Sequence, residues 1–266
     1  MQLTLDYNET WLHRMNPAFK LVFFLFLFLG LLFIHNPNII TYVTLLPLIL
    51  VAFFTGHKRK LLLILMIPFL LLFVSSSSSM IFFGQGTTTW WKWGLIHITE
   101  ESFYRGLHIG FRALNFALLG LIFALTTRPV LLFYSLTQQL KVPPRFAYSF
   151  MAAVRILPMM VEEFQQLKNA LLVRGVKKEK GWKRITQSIT LYAVPLLSQS
   201  IRRAHRIAVA MESKQFHNGK RTYYYETRLS KFDGLFVLYI VLGVVTMVWL
   251  GLEVPTYEIT DVRNSD

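Results

Sequence analysis

Two stretches of the chain end alike, and both endings carry a cation. Ala170 is followed four residues later by Arg174 and then Gly175, and Ala210 is followed four residues later by Lys214 and then Gln215. A cation at a helix tip performs no covalent chemistry. It is a docking element, shaped to enter an acidic groove of a partner and hold it through charge-assisted hydrogen bonds. Arg offers a planar fork that grips a carboxylate at two points, whereas Lys offers a single compact charge. Taken singly, each ending is ordinary: a cation in the last turn complements the helix dipole by about 0.3 to 1 kcal/mol, and Gly is common just past a helix end. The repetition is what points to docking, and it extends upstream, where Pro158-Met159-Met160 precedes the first ending and Pro195-Leu196-Leu197 the second.

Other chemistries lack their residues. There is no Cys, which excludes disulfides, thiolate metal sites and cysteine nucleophiles. The histidines His13, His35, His57, His97, His108, His205 and His217 include no pair at the i, i+4 spacing of a helical metal site. No G-x-x-x-x-G-K-S/T loop occurs, so nothing cradles a nucleotide phosphate. The serine run Ser75 to Ser79 has no His or Asp near it to activate a nucleophile and reads as a loop or small-residue packing stretch.

The elements that present the two endings are amphipathic. Phe146, Phe150, Ala153, Leu157, Met160, Phe164, Leu167 and Leu171 recur at steps of four and three, which predicts a long helix with one buried seam. Arg145, Glu162, Glu163 and Lys168 fall off that seam. Val194, Leu197, Ile201, Ala204, Ala208 and Met211 predict a second such helix, with Arg202, Arg203 and Arg206 on its other faces. The stretch from Lys141 to Lys231, about ninety residues, is too long for a structureless loop.

The rest of the chain is apolar enough to need lipid. Hydrophobic residues make up 54% of the 266, among them 23 Phe, and the mean hydropathy is +0.44. Five segments are apolar enough to span a bilayer: Leu21 to Ile34, Ile39 to Phe54, Leu61 to Val74, Leu107 to Thr126 and Leu235 to Leu252. His13, Arg14 and Lys20 precede the first span, the turn at 35–38 has no Lys or Arg, and Lys58, Arg59 and Lys60 follow the second. That alternation predicts a cytoplasmic N-terminus, and five spans carry the C-terminus outside. An outer loop from Ser75 to Arg105 holds Trp90, Trp91 and Trp93 at headgroup level. Arg112 and Asn115 are the strongly polar groups near the lipid interior, explained by snorkelling or by contact with a neighbouring helix. Intramembrane carboxylates, the usual means of ion coupling in secondary transporters, are nearly absent. The formal charge of +14 gathers beside the membrane, at Lys177, Lys178, Lys180, Lys183 and Arg184 between the two helices. It suits anionic lipid or an acidic protein, and no recognised module frames it for nucleic acid.

Several motifs resemble those of the T component, the transmembrane scaffold of energy-coupling factor transporters. His13-Arg14-Met15-Asn16-Pro17 stands where that family carries a His-Arg-Leu-Asp-Pro element, with Asn16 in place of its Asp. Val173-Arg174-Gly175 matches the first Ala-Arg-Gly-like signature, and Ala210-Met211-Glu212-Ser213-Lys214-Gln215-Phe216 is similar to the second, with Lys-Gln for Arg-Gly. The resemblance implies an all-α polytopic membrane protein with a cytosolic pair of long amphipathic coupling helices. Its parts would be transmembrane helices and an outer loop at 1–128, the coupling segment at 129–231, and a last span with tail at 232–266. It further implies two ATP-binding-cassette ATPase subunits, or one fused pair, docked at Ala170, Arg174, Gly175, Ala210, Glu212, Ser213, Lys214 and Gln215. A small membrane S component would rest on an apolar seam of Phe150, Leu157, Phe164, Leu197 and Ile201. ATP and Mg would bind in the ATPases, leaving this chain in the plasma membrane without cofactor or catalytic residue. The cargo would be a vitamin, a vitamin precursor such as a thiamine-type pyrimidine, or a metal ion. A stand-alone permease and a membrane-embedded enzyme are the alternatives from other classes.

Overall fold

The computed structural model describes residues 8–86, 88–93, 96–176, 182–216, 223–257 and 259–262. The chain forms two compact units, Met1–Arg128 with Thr227–Asp266, and Pro129–Glu226.

The first unit holds helices α1 (Pro17–Leu32), α2 (Pro37–Ile49, continued by a π turn Leu50–Phe54), α3 (Arg59–Phe83) and α4 (Glu100–Thr126), together with the C-terminal helix Lys231–Glu253. α3, α4, the C-terminal helix and the continuous run Pro37–Phe54 are long and apolar enough to cross a membrane, and α1 is a shorter apolar helix. The starts of α1 and α2 follow from one device used twice. Asn16 and Asn36 cap their helices by accepting hydrogen bonds from the second and third amides, and a proline at the first helical position needs no partner for a missing N–H.

Two boundaries differ from the sequence expectation. Ser75 to Ser79 belongs to α3, and α4 begins at Glu100, so the connection is residues 84–99 rather than Ser75 to Arg105. The serines stay helical because they pack against small residues: a Cβ on Gly110 would lie 2.0 Å from Ser77 Oγ, and one on Gly106 2.8 Å from the Ser77 carbonyl. Glycines four apart let the two backbones approach closely, the usual device where lipid supplies no hydrophobic drive between helices. The connection carries an antiparallel hairpin of β1 (Thr89–Trp93) and β2 (Ile96–Thr99), with Trp91 opposite Ile98 and Lys92 opposite His97. Trp90 and Trp91 are exposed on it.

Several buried polar groups tie the elements of this unit together. Lys20 is only 1% exposed, and its Nζ donates to the Leu12 carbonyl at 2.7 Å and to Thr126 Oγ1 at 2.7 Å. It is therefore a buried tie between α1 and the end of α4, where the helix dipole favours a cation, and not a membrane-flanking charge. Asp233 accepts from the amides of Asn16 at 2.8 Å and Ser230 at 2.6 Å, so one carboxylate closes the N-termini of two helices. The Asn16 side chain in turn donates to the Arg228 carbonyl at 3.1 Å, a bond that an ionised Asp there could not make. Arg112 and Asn115 do not snorkel: they bond to the Ile34 carbonyl and to Thr44 Oγ1, each at 2.7 Å. They are also not alone, since His108 reaches the same Ile34 carbonyl. Ahead of α1, His13 lies in a short 3-10 turn, Trp11–Arg14, with Nδ1 accepting from the Thr10 amide. Burial, then the nearby positive charge of Lys20 and of His57, holds its pKa below the usual 6.5.

The second unit consists of α5 (Pro129–Gln139), α6 (Pro144–Val173), α7 (Lys183–Ser188) and α8 (Val194–Ser213), so that the C-terminal helix of the first unit is α9. A π turn, Ile189–Ala193, joins α7 to α8 without a break in helical backbone. Pro195 explains it: the ring cannot donate to the previous turn, and Val194 instead bonds five residues back to Ile189. The run Lys183–Ser213 then has nearly the length of α6, whose thirty residues continue through Pro158.

Candidate functional site

Both cation-bearing ends close with the same backbone motif. At the end of α6, Gly175 takes a left-handed φ of 66°, its amide bonds to the Leu172 carbonyl at 3.1 Å, and the Val176 amide reaches back to Leu171 at 3.3 Å. At the end of α8, Gln215 has φ 56°, its amide bonds to Glu212 at 2.8 Å, and the Phe216 amide reaches Met211 at 3.0 Å. These are paired Schellman motifs, offset by 40 residues at every atom involved. Arg174 and Lys214 are the last residues before the left-handed one, and each amide closes on Ala170 or Ala210 four residues earlier. Both side chains are exposed and have no salt-bridge partner among the described residues. Ala170, Gly175, Ala210, Glu212, Ser213 and Gln215 are exposed as well, and Ser213 Oγ donates to the Ala210 carbonyl at 3.0 Å.

The helices that carry these ends cross once. Ser200 Oγ lies 3.6 Å from Met160 Sδ, Glu163 forms an ion pair with Arg203, and the Phe164 ring sits 5.3 Å from Tyr192. Tyr148, near the start of α6, packs edge-on against Phe216 just beyond the end of α8, with ring centres 5.4 Å apart. The helices therefore run antiparallel, and the tips point apart. Arg174 and Lys214 each follow the ion pair by 11 residues, about 17 Å of helix. Since Phe216 lies beside Tyr148, the two cations are separated by most of the length of α6, roughly 40 Å.

Residues 8–225 match the family described as cobalt transport protein, CbiQ. The chain belongs to the CbiQ family. It is similar to the energy-coupling factor transporter transmembrane protein EcfT of Brevibacillus brevis, 27% identical over 256 residues, 91% of this chain and 94% of that one. The EcfT of Thermotoga maritima is 28% identical over 251 residues, 90% and 89% of the two chains. The match to the EcfT of Acidaminococcus fermentans, 27% over 175 residues, covers 62% of this chain and 65% of that protein. As a CbiQ/EcfT-type T component, the chain is a transmembrane transporter subunit and not an enzyme.

Two features of this T component depart from the sequence reading. The periodic seam of α6 is not buried within the chain. Phe150, Leu157, Leu197 and Ile201 are 57%, 60%, 62% and 61% exposed, and Phe164 is also on the surface. Phe150 stacks on Phe133 of α5 at 5.1 Å, but that contact leaves its other face open. Met160 and Leu167 of the same period are half-buried, and Met160 meets Ser200 of α8 beside the Glu163–Arg203 pair. The second departure is the Glu163–Arg203 pair, whose residues fall off the apolar period and yet meet half-buried at the crossing. Its signal was available in the same 40-residue offset that relates the two tips. Lys177, Lys178 and Lys180 lie outside the described residues, as do the side chains of Lys183 and Arg184.

Proposed function

We propose that this chain converts the closure of two ATPase subunits into movement of a substrate-binding membrane partner. Arg174 and Lys214 would each enter an acidic groove on one ATPase domain, in two chains or a fused pair. The partner S component would rest on the open apolar surface of Phe150, Leu157, Phe164, Leu197 and Ile201, and release a vitamin, a vitamin precursor or a metal ion inside the cell. ATP and Mg belong to the ATPases in this reading. The chain sits in the plasma membrane with its N-terminus cytoplasmic and its C-terminus outside.

One observation carries the proposal: two cation-tipped helix ends of identical backbone geometry point away from a common crossing, roughly 40 Å apart. A pair of like tips related in this way suits a pair of like grooves. Lys214 keeps the charge of the first tip without its fork, so the second contact is weaker or less directional.

The test is co-purification of the ATPase subunits with the chain, together with ATP-dependent uptake in reconstituted vesicles. Arg174→Glu with Lys214→Glu abolishes both, whereas reversal of Arg202 and Arg206 on the flank of α8 leaves ATPase binding intact. Assembly and uptake that survive the double reversal refute the docking role.

A further inference from the structure

Helix α8 carries a second cationic feature, away from its tip. Gln199, Arg202, Arg203, His205 and Arg206 border a hollow of about 590 Å³ together with Ile201. Steps of three and four from Gln199 through Arg202 to Arg206 put these three on one side of the helix, and His205 lies one turn from Arg202. Arg203 is already engaged in the ion pair with Glu163. Arg202 and Arg206 are exposed and, like Gln199 and His205, have no hydrogen bond, ion pair or ring contact among the described residues. From Val194 to Met211 the helix holds no acidic residue, so nothing along it offsets these two charges before Glu212 in its last turn.

An open apolar strip runs beside the cations. Val194, Leu197 and Ile201 are exposed along it, and exposed Val209 stands one turn beyond His205 and Arg206. A helix with guanidinium groups along one edge and bare aliphatic side chains along the next has the layout of a helix at a bilayer surface. The stretch of chain that includes α8 is joined at both ends to helices long and apolar enough to cross a membrane, α4 before it and α9 after it.

We propose that this flank of α8 binds the headgroup of an anionic phospholipid, with Arg202 and Arg206 donating to the phosphate oxygens. The Gln199 amide and the His205 ring meet the rest of the headgroup, and Ile201 and Val209 meet the apolar boundary below it. Guanidinium forks suit phosphate oxygens two at a time. An acidic protein would answer the charges but set its carboxylates against Ile201 and Val209, whereas a lipid answers both edges at once. A zwitterionic lipid brings its own ammonium group to the arginines, so the anionic class is selected. Ile201 also belongs to the surface proposed above for the S component, and the lipid would line the edge of that contact. The site depends on neither cation tip.

The chain has no native cysteine, so Val209→Cys takes a single nitrobenzoxadiazole label, and the full chain is placed in nanodiscs. In phosphatidylcholine discs the label reports water. Phosphatidylglycerol added in steps moves its emission to the blue, and high salt reverses the change. Two arginines at a lipid surface contribute about thirtyfold in affinity together. At the phosphatidylglycerol content that half-saturates the protein, Arg202→Gln with Arg206→Gln therefore removes nearly all of the shift. Arg59→Gln with Lys60→Gln, exposed cations at the start of α3, leaves it in place. No shift at any phosphatidylglycerol content, an equal shift in phosphatidylcholine alone, or a shift that persists in a monodisperse Arg202→Gln, Arg206→Gln protein overturns the site. Reversal by inorganic phosphate at constant ionic strength overturns the lipid as the source of the phosphate. A shift produced by poly-L-glutamate in phosphatidylcholine discs overturns the proposal in favour of an acidic protein.

Discussion

Breaking the ion pair at the helix crossing should loosen α6 against α8, and restoring it with the charges exchanged should tighten them again. Glu163 and Arg203 are 18% and 21% exposed at the side chain, which is buried enough to escape most screening. Two unit charges 4 Å apart attract by about 4 kcal/mol at an effective dielectric of 20. Removing both from water cancels much of that, which leaves a coupling of roughly 1 to 2 kcal/mol. Reversal of one partner costs more than its loss, because two like charges are then held at the crossing. The chain has no native cysteine, so Met160→Cys with Ser200→Cys introduces the sole thiol pair, at positions whose side chains lie 3.6 Å apart. Disulfide yield under mild oxidant then reports how closely the helices stay crossed. Glu163→Arg or Arg203→Glu lowers the yield and the unfolding temperature in detergent, and the two together recover more than half of each. Single reversals without effect, or a double reversal no better than either single, would refute the assignment of this pair as the clamp.

Three further outcomes follow from the geometry. Gly175→Ala destabilises the first tip by about 1 kcal/mol and Gln215→Gly stabilises the second by a similar amount, since both positions are left-handed; amide exchange at Val176 and Phe216 reads the change. Gly110→Leu costs about 1 to 3 kcal/mol or more, because even its Cβ would lie 2.0 Å from Ser77 Oγ, and Ser77→Gly in the same chain recovers part of the loss in a thermal melt. The depressed pKa of His13 means that the unfolded chain binds a proton where the folded chain does not. Stability from this group is therefore complete above pH 6.5 and falls as the pH drops through that value toward the folded pKa, a decline that His13→Gln flattens.

What could be read from the residues was what depends on local period and local charge. The apolar runs, the two amphipathic helices and both cation endings are set by side chains within a few turns of one another, and each appears in the structure. What could not be read was where a face meets a partner far away in the chain. Lys20 looks like a flanking cation until Thr126, on α4, supplies its acceptor. Glu163 looks like a solvated charge until Arg203 faces it across the crossing. The serine run looks like a loop because helix propensity is low for serine, and only Gly106 and Gly110 on the neighbouring helix make a close small-residue packing worth more than that penalty. The β1–β2 hairpin carried no clear alternation beyond its tryptophans.

The two units differ in kind, and the difference bears on how the chain works. The first has a contiguous core, with Leu12, Phe24, Leu50, Leu118, Ile122 and Phe236 buried and packed together. In the second, Ala147 is the buried hydrophobic residue among those described, while Phe146, Phe150, Leu157, Val161, Leu197 and Ile201 lie open. Isolated helices gain little stability from propensity alone and depend on burying an apolar face. Two long helices touching mainly at one crossing do not bury enough of it within their own unit. Their open face is the surface on which the proposed membrane partner would rest, and a crossing this narrow has little packing to lose. A rigid, well-packed pair would hold its tips at a fixed spacing, whereas the proposed energy coupling would require a pair clamped at Glu163 and Arg203 to change its spacing at the cost of a few contacts.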